Sequence, residues 1–463
     1  MPRQLRSPSE EVTGTDVLLG LGAANRARDA VGVYSICSAN RLVLEAGMLQ
    51  ALRDATPVLI ESTSNQVNQF GGYTGMTPAD FRAFVGSVAQ AMGLAQQRVI
   101  LGGDHLGPHP WRSEPAASAM VKARDLVREC VLAGYTKIHL DASMRCADDP
   151  PGRPLDERVV SERAADLCSA GESAHAELQA GATAQVHVRA GRGRRGRSTA
   201  PRPVYVIGSE VPIPGGELAG QSAPGVTRPL DVERTLALAR AAFHPSLESA
   251  WQRVIAVVVQ PGVEFGDATV FEYDRPKAAD LSAFIELDGR LVYEAHSTDY
   301  QTPGNLRRMV EDHFAILKVG PGLTFAMREA IFALECMERE WLGGRNDSVL
   351  SGLRDVLQQT MRDRPGDWKP YYRGDEDELR LARDFSFSDR SRYYWPLPEV
   401  KAALDRLCRN LSDRPVPLTL LSQYLPVQYE AVRAGALDNQ PADLIRHRVL
   451  EVATTYASAC RMR

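Results

Sequence analysis

The chain has 463 residues, 44% hydrophobic and 24% charged, with a formal net charge of −4. This is the balance of an ordinary globular protein, without the basic excess that a nucleic-acid backbone attracts. No apolar run approaches the ~18 residues of a membrane span, and Met1-Pro2-Arg3-Gln4-Leu5-Arg6 lacks the ~7–15-residue apolar core of a secretory signal. A cytoplasmic protein is therefore expected, with neither membrane nor nucleic acid as a partner. Seven scattered cysteines, none in a Cys-x-x-Cys pair, read as small buried hydrophobes.

Residues 1–30 read as a polar lead-in segment. Beyond them apolar strands alternate with helical patterns. Gly32-Val33-Tyr34-Ser35-Ile36-Cys37 is a first strand, with a helix over 42–52. Pro57-Val58-Leu59-Ile60-Glu61 is a second, followed by a glycine-bearing loop over 65–75. Thr77-Pro78-Ala79-Asp80 opens a helix, since threonine caps free amides and proline suits the first turn; Phe81, Phe84, Val85, Val88 and Met92 share its apolar face. The third strand covers 98–103, and its helix runs over 116–133 until Gly134 stops it in a left-handed conformation. A fourth strand at 137–141 leads to a helix near 156–169. The stretch 185–203, with six arginines and no periodicity, reads as a solvated, mobile insertion.

Strand five, Val204-Tyr205-Val206-Ile207-Gly208, ends at Glu210, and strand six, Val254-Ile255-Ala256-Val257-Val258-Val259, ends at Gln260. Strand seven, 291–295, ends at His296-Ser297-Thr298-Asp299, and strand eight, 314–319, at Gly320-Pro321-Gly322. Eight apolar strands alternating with helices imply a parallel sheet covered on both faces, closed as a (β/α)₈ TIM barrel over 31–342, with a doubly wound open sheet as the alternative. Residues 343–463 read as a C-terminal helical extension of four or five amphipathic helices, broken at Pro365-Gly366, Pro396-Leu397-Pro398 and Pro415-Val416-Pro417.

In such a barrel, functional groups collect at the carboxyl ends of the strands. Here those ends carry Asp104, His105, Asp141, Glu210, Gln260 and His296. His105, Glu210 and His296 suit a divalent cation such as zinc or manganese and leave positions open for substrate. Asp104 and Glu210 are the candidate catalytic carboxylates, with Asp104 free to move a proton. Asp141, Ser143, Gln260 and Asp299 are the candidate substrate-binding groups. A cation held there would polarise a ketose carbonyl during carbon–carbon bond cleavage. The plainer alternative is that each group is buried and satisfied by its neighbours. His139 shares a strand face with Asp141 and reads equally as a pocket or a core histidine. Lys318 alone is a weak sign of Schiff-base chemistry. Gly191-Arg192-Gly193-Arg194-Arg195-Gly196-Arg197-Ser198 nearly spells a phosphate-binding loop, but arginine stands where lysine is needed and no strand precedes it. Arg392-Tyr393-Tyr394-Trp395 and Gln423-Tyr424-Leu425-Pro426 read as packing, or as a tail laid over the barrel mouth against a sugar or its phosphate.

The run Glu61-Ser62-Thr63-Ser64-Asn65-Gln66-Val67-Asn68-Gln69-Phe70-Gly71-Gly72-Tyr73-Thr74-Gly75-Met76, together with the stretches 102–108, 137–143, 258–265, 293–301 and 393–395, resembles the GatZ/KbaZ family. The resemblance covers about residues 30–460. It implies a Z subunit of D-tagatose-1,6-bisphosphate aldolase, related to zinc-dependent class II aldolases of (β/α)₈ fold. A Z subunit of that kind supports the activity and stability of a catalytic Y subunit in galactitol, N-acetylgalactosamine or tagatose breakdown. Asp104-His105 is similar to the class II Asp-His pair, and Asp141-Ala142-Ser143 to their Asp-Gly-Ser. Gln260 stands where those enzymes have a ligating histidine, and His296-Ser297-Thr298-Asp299 replaces a glycine-rich phosphate loop. The resemblance thus implies an oligomeric, auxiliary aldolase subunit that needs no cofactor of its own. The alternative is a ketose 4-epimerase or class II-type aldolase, active alone on a ketose or ketose phosphate with zinc, manganese or nickel.

Overall fold

The computed structural model describes residues 14–27, 29–151, 154–189, 200–209 and 224–461. Ten strands occur among them: β1 Val33–Ile36, β2 Val58–Thr63, β3 Val99–Leu106, β4 Lys137–Leu140, β5 Val204–Ile207, β6 Val254–Val258, β7 Glu264–Phe265, β8 Val270–Phe271, β9 Val292–Ala295 and β10 Phe314–Val319. All but β7 and β8 form one closed parallel barrel, in the order β1-β10-β9-β6-β5-β4-β3-β2. The eight expected strands are these eight. β7 and β8, two residues each, make an antiparallel hairpin that the alternating pattern had not revealed, being too short to show a period.

The barrel is filled in layers. At its amino-terminal end Val33, Leu59, Ile100, Val206, Ile255, Val292 and Ile316 form a closed apolar cluster with Leu18 and Leu21. Leu18 and Leu21 belong to two short helices, Gly14–Leu19 and Leu21–Asn25, so part of the lead-in segment plugs the barrel floor. The helices around the barrel bury the other strand faces in the main core. Local rules set their ends: Thr77 and Asp80 form a reciprocal capping box, and Gly93 and Gly134 both take positive φ where their helices stop.

Two sequence expectations are revised. The helix after β4 runs from Glu157 to Arg189, far beyond 169 and into the stretch assigned to the insertion. Its middle is rich in alanine and other good helix formers, and Arg128 grips Glu177 through two 2.7 Å hydrogen bonds, so length is supported by propensity and a lateral tie. Residues 190–199 of the insertion lie outside the described residues. Among the described residues beyond 343 there are six α-helices, because Leu425-Pro426 divides Leu418–Tyr424 from Pro426–Arg433. The last, Pro441–Cys460, packs between Arg41–Asp54, Pro303–Glu311 and Pro321–Leu342, beside the barrel's own outer helices.

One backbone approach sets the spacing of the barrel mouth. A Cβ at Gly107 would lie 1.6 Å from the carbonyl oxygen of Asp141, so only glycine lets the chain after β3 pass the end of β4. Gly107→Ala is expected to destabilise the fold by about 2–3 kcal/mol, measured by denaturant unfolding, because backbone has to move to admit the methyl group.

Candidate metal centre

The mouth of the barrel holds a cavity of about 160 Å³ whose wall includes Asp104, His105, Asp141, Ser143, His296, Asp299 and Lys318. β3 brings two neighbouring side chains to it. Consecutive strand residues ordinarily face opposite ways, but the β3–β4 register shifts between Gly103 and Leu106, and His105 adopts φ +49°. That bulge turns both Asp104 and His105 toward the cavity. Strain of this kind in a non-glycine residue persists only where the surroundings enforce it.

Three imidazoles then meet. The ring centroids of His105, His139 and His296 are 4.9, 4.8 and 5.5 Å apart, and one ligand atom from each, with one from Asp104, lies within 4.8 Å of the others. His105 Nδ1 donates to Asp141 Oδ2 at 2.7 Å, which fixes the tautomer and leaves Nε2 as the nitrogen that could ligate an ion. Asp141 is itself held by the amide and hydroxyl of Ser143, at 3.0 and 2.6 Å to Oδ1. His139 Nε2 donates to the carbonyl of Gly208 at 2.9 Å, so Nδ1 is an acceptor, taking the His105 amide at 3.2 Å and lying 3.0 Å from Asp104 Oδ1. His296 Nε2 lies 3.2 Å from Glu294 Oε1.

Beneath the imidazoles lies a buried ionic lattice. Lys137 Nζ is 2.6 Å from Glu61 and 2.7 Å from Glu294, with all three side chains fully buried. Lys318 Nζ pairs with Asp104 Oδ1 at 2.9 Å, with Glu294 at 3.7 Å and closely with Glu61. Ser35 Oγ donates to Glu61 at 2.7 Å. Gly102 makes room for Glu61, since a Cβ there would sit 2.5 Å from its carboxylate.

The lattice sets the charge states above it. Burial opposes ionisation of Asp104, but His105 and Lys318 outweigh it and hold the carboxyl well below the usual range. Burial likewise disfavours the Lys318 cation, yet Asp104, Cys37, Glu61 and Glu294 hold it as an ammonium well above an ordinary lysine, which removes the nucleophile that a Schiff base requires. Burial pushes His296 down to about 4, so it is neutral and able to ligate at neutral pH. For His105 burial is overcome by Asp104 and Asp141, which raise its pKa.

This donor set fits a divalent ion. Four carboxylates (Glu61, Asp104, Asp141, Glu294) face two ammonium groups, leaving two negative charges when the imidazoles are neutral. Imidazole nitrogens with one nearby carboxylate suit zinc, manganese or nickel. Of the residues expected here, His105 and His296 meet as proposed ligands. Glu210 lies outside the described residues. His139 joins the cluster from the strand interior, where sequence had left it open. Asp141 and Ser143 line the cavity but are engaged in orienting His105. Gln260 is not in this wall; its Oε1 accepts from the amides of Gly262 and Val263 at 2.7 and 3.0 Å and shapes the turn after β6. Asp299 lines the cavity beside Gly320, and Arg392 and Tyr393 reach it from the C-terminal helices, Tyr393 packing edge-on against Tyr73 at 4.8 Å. The Gln423-to-Pro426 segment is not part of the wall.

The family model described as D-tagatose-1,6-bisphosphate aldolase subunit GatZ/KbaZ-like matches residues 18–461. The chain belongs to this family. A crystal structure of a probable tagatose 6 phosphate kinase from Sinorhizobium meliloti 1021 is 44% identical to this GatZ/KbaZ-like chain, with TM-score 0.80, and is covered in full while covering 93% of it. The YdjI aldolase from Escherichia coli K12 is similar at 11% identity and TM-score 0.39, over 82% of this chain and 94% of that one. Fructose-bisphosphate aldolase from Campylobacter jejuni reaches 12% and 0.41, over 86% and 91%. Likeness of that order supports no inference about chemistry. Family membership relates the chain to tagatose-bisphosphate aldolase, and among its described residues no helix is long and apolar enough to cross a membrane.

Because Asp141 would act on a bound ion only through His105, Asp141→Asn is expected to weaken Zn²⁺ or Mn²⁺ binding by about 10–100-fold without unfolding the chain, measured by calorimetric titration of metal-free protein.

Proposed function

We propose that this GatZ/KbaZ-like chain is a divalent-metal-dependent enzyme that opens and remakes a carbon–carbon bond beside the carbonyl of a ketose, as an aldolase or a 4-epimerase. The observation that carries the reading is the meeting of His105, His139, His296 and Asp104 within 4.8 Å at the wall of the barrel-mouth cavity. The three imidazoles would hold the ion, and a bound ion supplies Lewis-acid charge to a substrate carbonyl or hydroxyl. Asp104 is the proton carrier. Its Oδ1 is engaged by Lys318, which leaves Oδ2, 3.8 Å from His105 Nε2, to take the proton of the hydroxyl whose carbon is to be released as an aldehyde. Lys318 keeps that carboxylate charged and ready to accept. Return of the aldehyde carbon through its other face, with the same proton given back, inverts one centre and is an epimerisation. Loss of the aldehyde fragment is cleavage.

A second reading is supported by the family's description as an aldolase subunit: an auxiliary role in which the chain activates or stabilises a catalytic Y subunit. The two differ in what the isolated chain does. Alone, with Zn²⁺, Mn²⁺ or Ni²⁺, it is expected to convert tagatose, fructose or their phosphates, followed by chromatography. Chelation is expected to abolish turnover, and metal to restore it. Asp104→Asn is expected to lower kcat by about 10²–10⁴-fold while metal still binds. Absence of turnover under every metal, with a gain in Y activity on mixing, would establish the auxiliary role instead.

A further inference from the structure

Arg392 and Tyr393 reach the cavity from the C-terminal extension, on a wall shared with Ser64, Asn65 and Tyr73 of the loop after β2. The Arg392 guanidinium lies 4.5 Å from the centroid of the Tyr393 ring, and that ring packs edge-on against Tyr73. Tyr73 donates its amide to the carbonyl of Asn65 at 3.0 Å, and the amide of Ser64 donates to the carbonyl of Asp104 at 3.2 Å. A continuous set of contacts thus runs from the imidazole cluster, through the loop, to one arginine.

Among the described residues Arg392 hydrogen-bonds only to neutral oxygens. Its Nη1 donates to the carbonyl of Ser388 and, at 3.1 Å, to that of Asp389, while Nη2 donates to the Tyr393 hydroxyl at 2.9 Å. The carboxylates that share its field are engaged elsewhere: Asp389 accepts from Arg328 at 2.9 Å, Asp299 from the amides of Gly320 and Gly322 at 3.0 and 2.7 Å, and Asp367 feels Arg390 more strongly. A guanidinium offers five N–H groups in a fixed fork, so the Nε–H and one Nη2 hydrogen are left for a ligand. A second donor is also open. Ser64 is 1% exposed and belongs to the cavity wall, yet its hydroxyl has no hydrogen-bond partner among the described residues. Burying an unpaired hydroxyl costs free energy that a ligand oxygen would recover.

Charge favours an anion once a divalent ion is in place. The ion cancels the two negative charges that the buried lattice leaves, and Lys318 is committed to Asp104 and Glu61. The Arg392 guanidinium is then the cation of the wall with donors to spare.

We propose that Arg392, with Ser64 as a second donor, receives a terminal phosphate of the ketose and so determines specificity, the planar fork of arginine being matched to phosphate oxygens. This rests on the reading of the cavity as a ketose site beside a divalent ion, and it gives the phosphate in the family's description a place in this chain.

The test is calorimetric titration of the Zn²⁺-loaded full chain with tagatose 1,6-bisphosphate and with tagatose. Wild type is expected to bind the bisphosphate about 10–100-fold more tightly than the free sugar. Arg392→Gln is expected to lose that preference and to bind tagatose as wild type does. Ser64→Ala removes a hydroxyl without a partner and so spares the fold; it is expected to weaken the bisphosphate by roughly 3–10-fold and tagatose by less than about twofold. Should Arg392→Gln fail to fold, Ser64→Ala decides. A wild type without the preference would overturn the inference, as would a preference undiminished in a folded variant of either residue, which would put the phosphate on the metal ion instead. None of these readouts needs turnover. A chain that converts nothing but grips the bisphosphate through Arg392 defeats the enzyme reading alone, and one that converts tagatose while ignoring the phosphate defeats this inference alone.

Discussion

Glu61 and Glu294 are wholly buried inside a barrel whose lower layer is pure hydrocarbon, and their charges are held by two ammonium groups, Lys137 and Lys318. Desolvating each such ion costs several kcal/mol, and removing any one partner would leave a buried charge uncompensated at about 3–5 kcal/mol. Well-packed leucine and valine in the same volume would serve stability at least as well. The lattice is explained by what stands on it. Lys318 fixes Asp104 as a carboxylate, Glu294 orients His296, and the surplus negative charge is of the size a divalent ion neutralises.

The site follows from the barrel in a definite order. Apolar residues close the floor, the ionic lattice occupies the middle, and the imidazoles crown it at the carboxyl ends of the strands. The bulge at Asp104 and His105 lets one strand contribute two adjacent groups to the same cavity. The C-terminal helices complete the enclosure, with Arg392 and Tyr393 at the rim and Tyr456 bracing the loop that carries Asp299. A helical extension placed in this way supplies part of the cavity wall.

Much of this was legible in the sequence because the barrel strands are nearly continuous apolar runs, a pattern that parallel sheets covered on both faces require. Asp104, His105 and His296 were legible as the polar residues that end such runs. The lattice was less so, although a signal was present: Glu61, Lys137, Glu294 and Lys318 are two acids and two bases inside otherwise apolar strands, and charges placed there have to pair. Which pairs form depends on barrel order, which one strand at a time does not reveal. His139 was ambiguous for the same reason, since only closure of the barrel brings β9 opposite β4. Asp141 and Ser143 were legible as site residues, but their task of orienting His105 depends on the β3 bulge, a backbone feature without a sequence mark. The reach of the helix to Arg189 was hidden because its glycines and polar residues obscured a weakly amphipathic but alanine-rich run.

The central claim is that a pre-charged imidazole cluster, supported by buried ion pairs, holds one divalent cation. X-ray absorption spectroscopy on metal-stripped chain reloaded with Zn²⁺ or Ni²⁺, with the bound metal counted by mass spectrometry, tests it most directly. One ion per chain with a first coordination sphere containing about three imidazole nitrogens is the result the account requires. No stoichiometric uptake, or an ion bound through oxygen ligands alone, would contradict it.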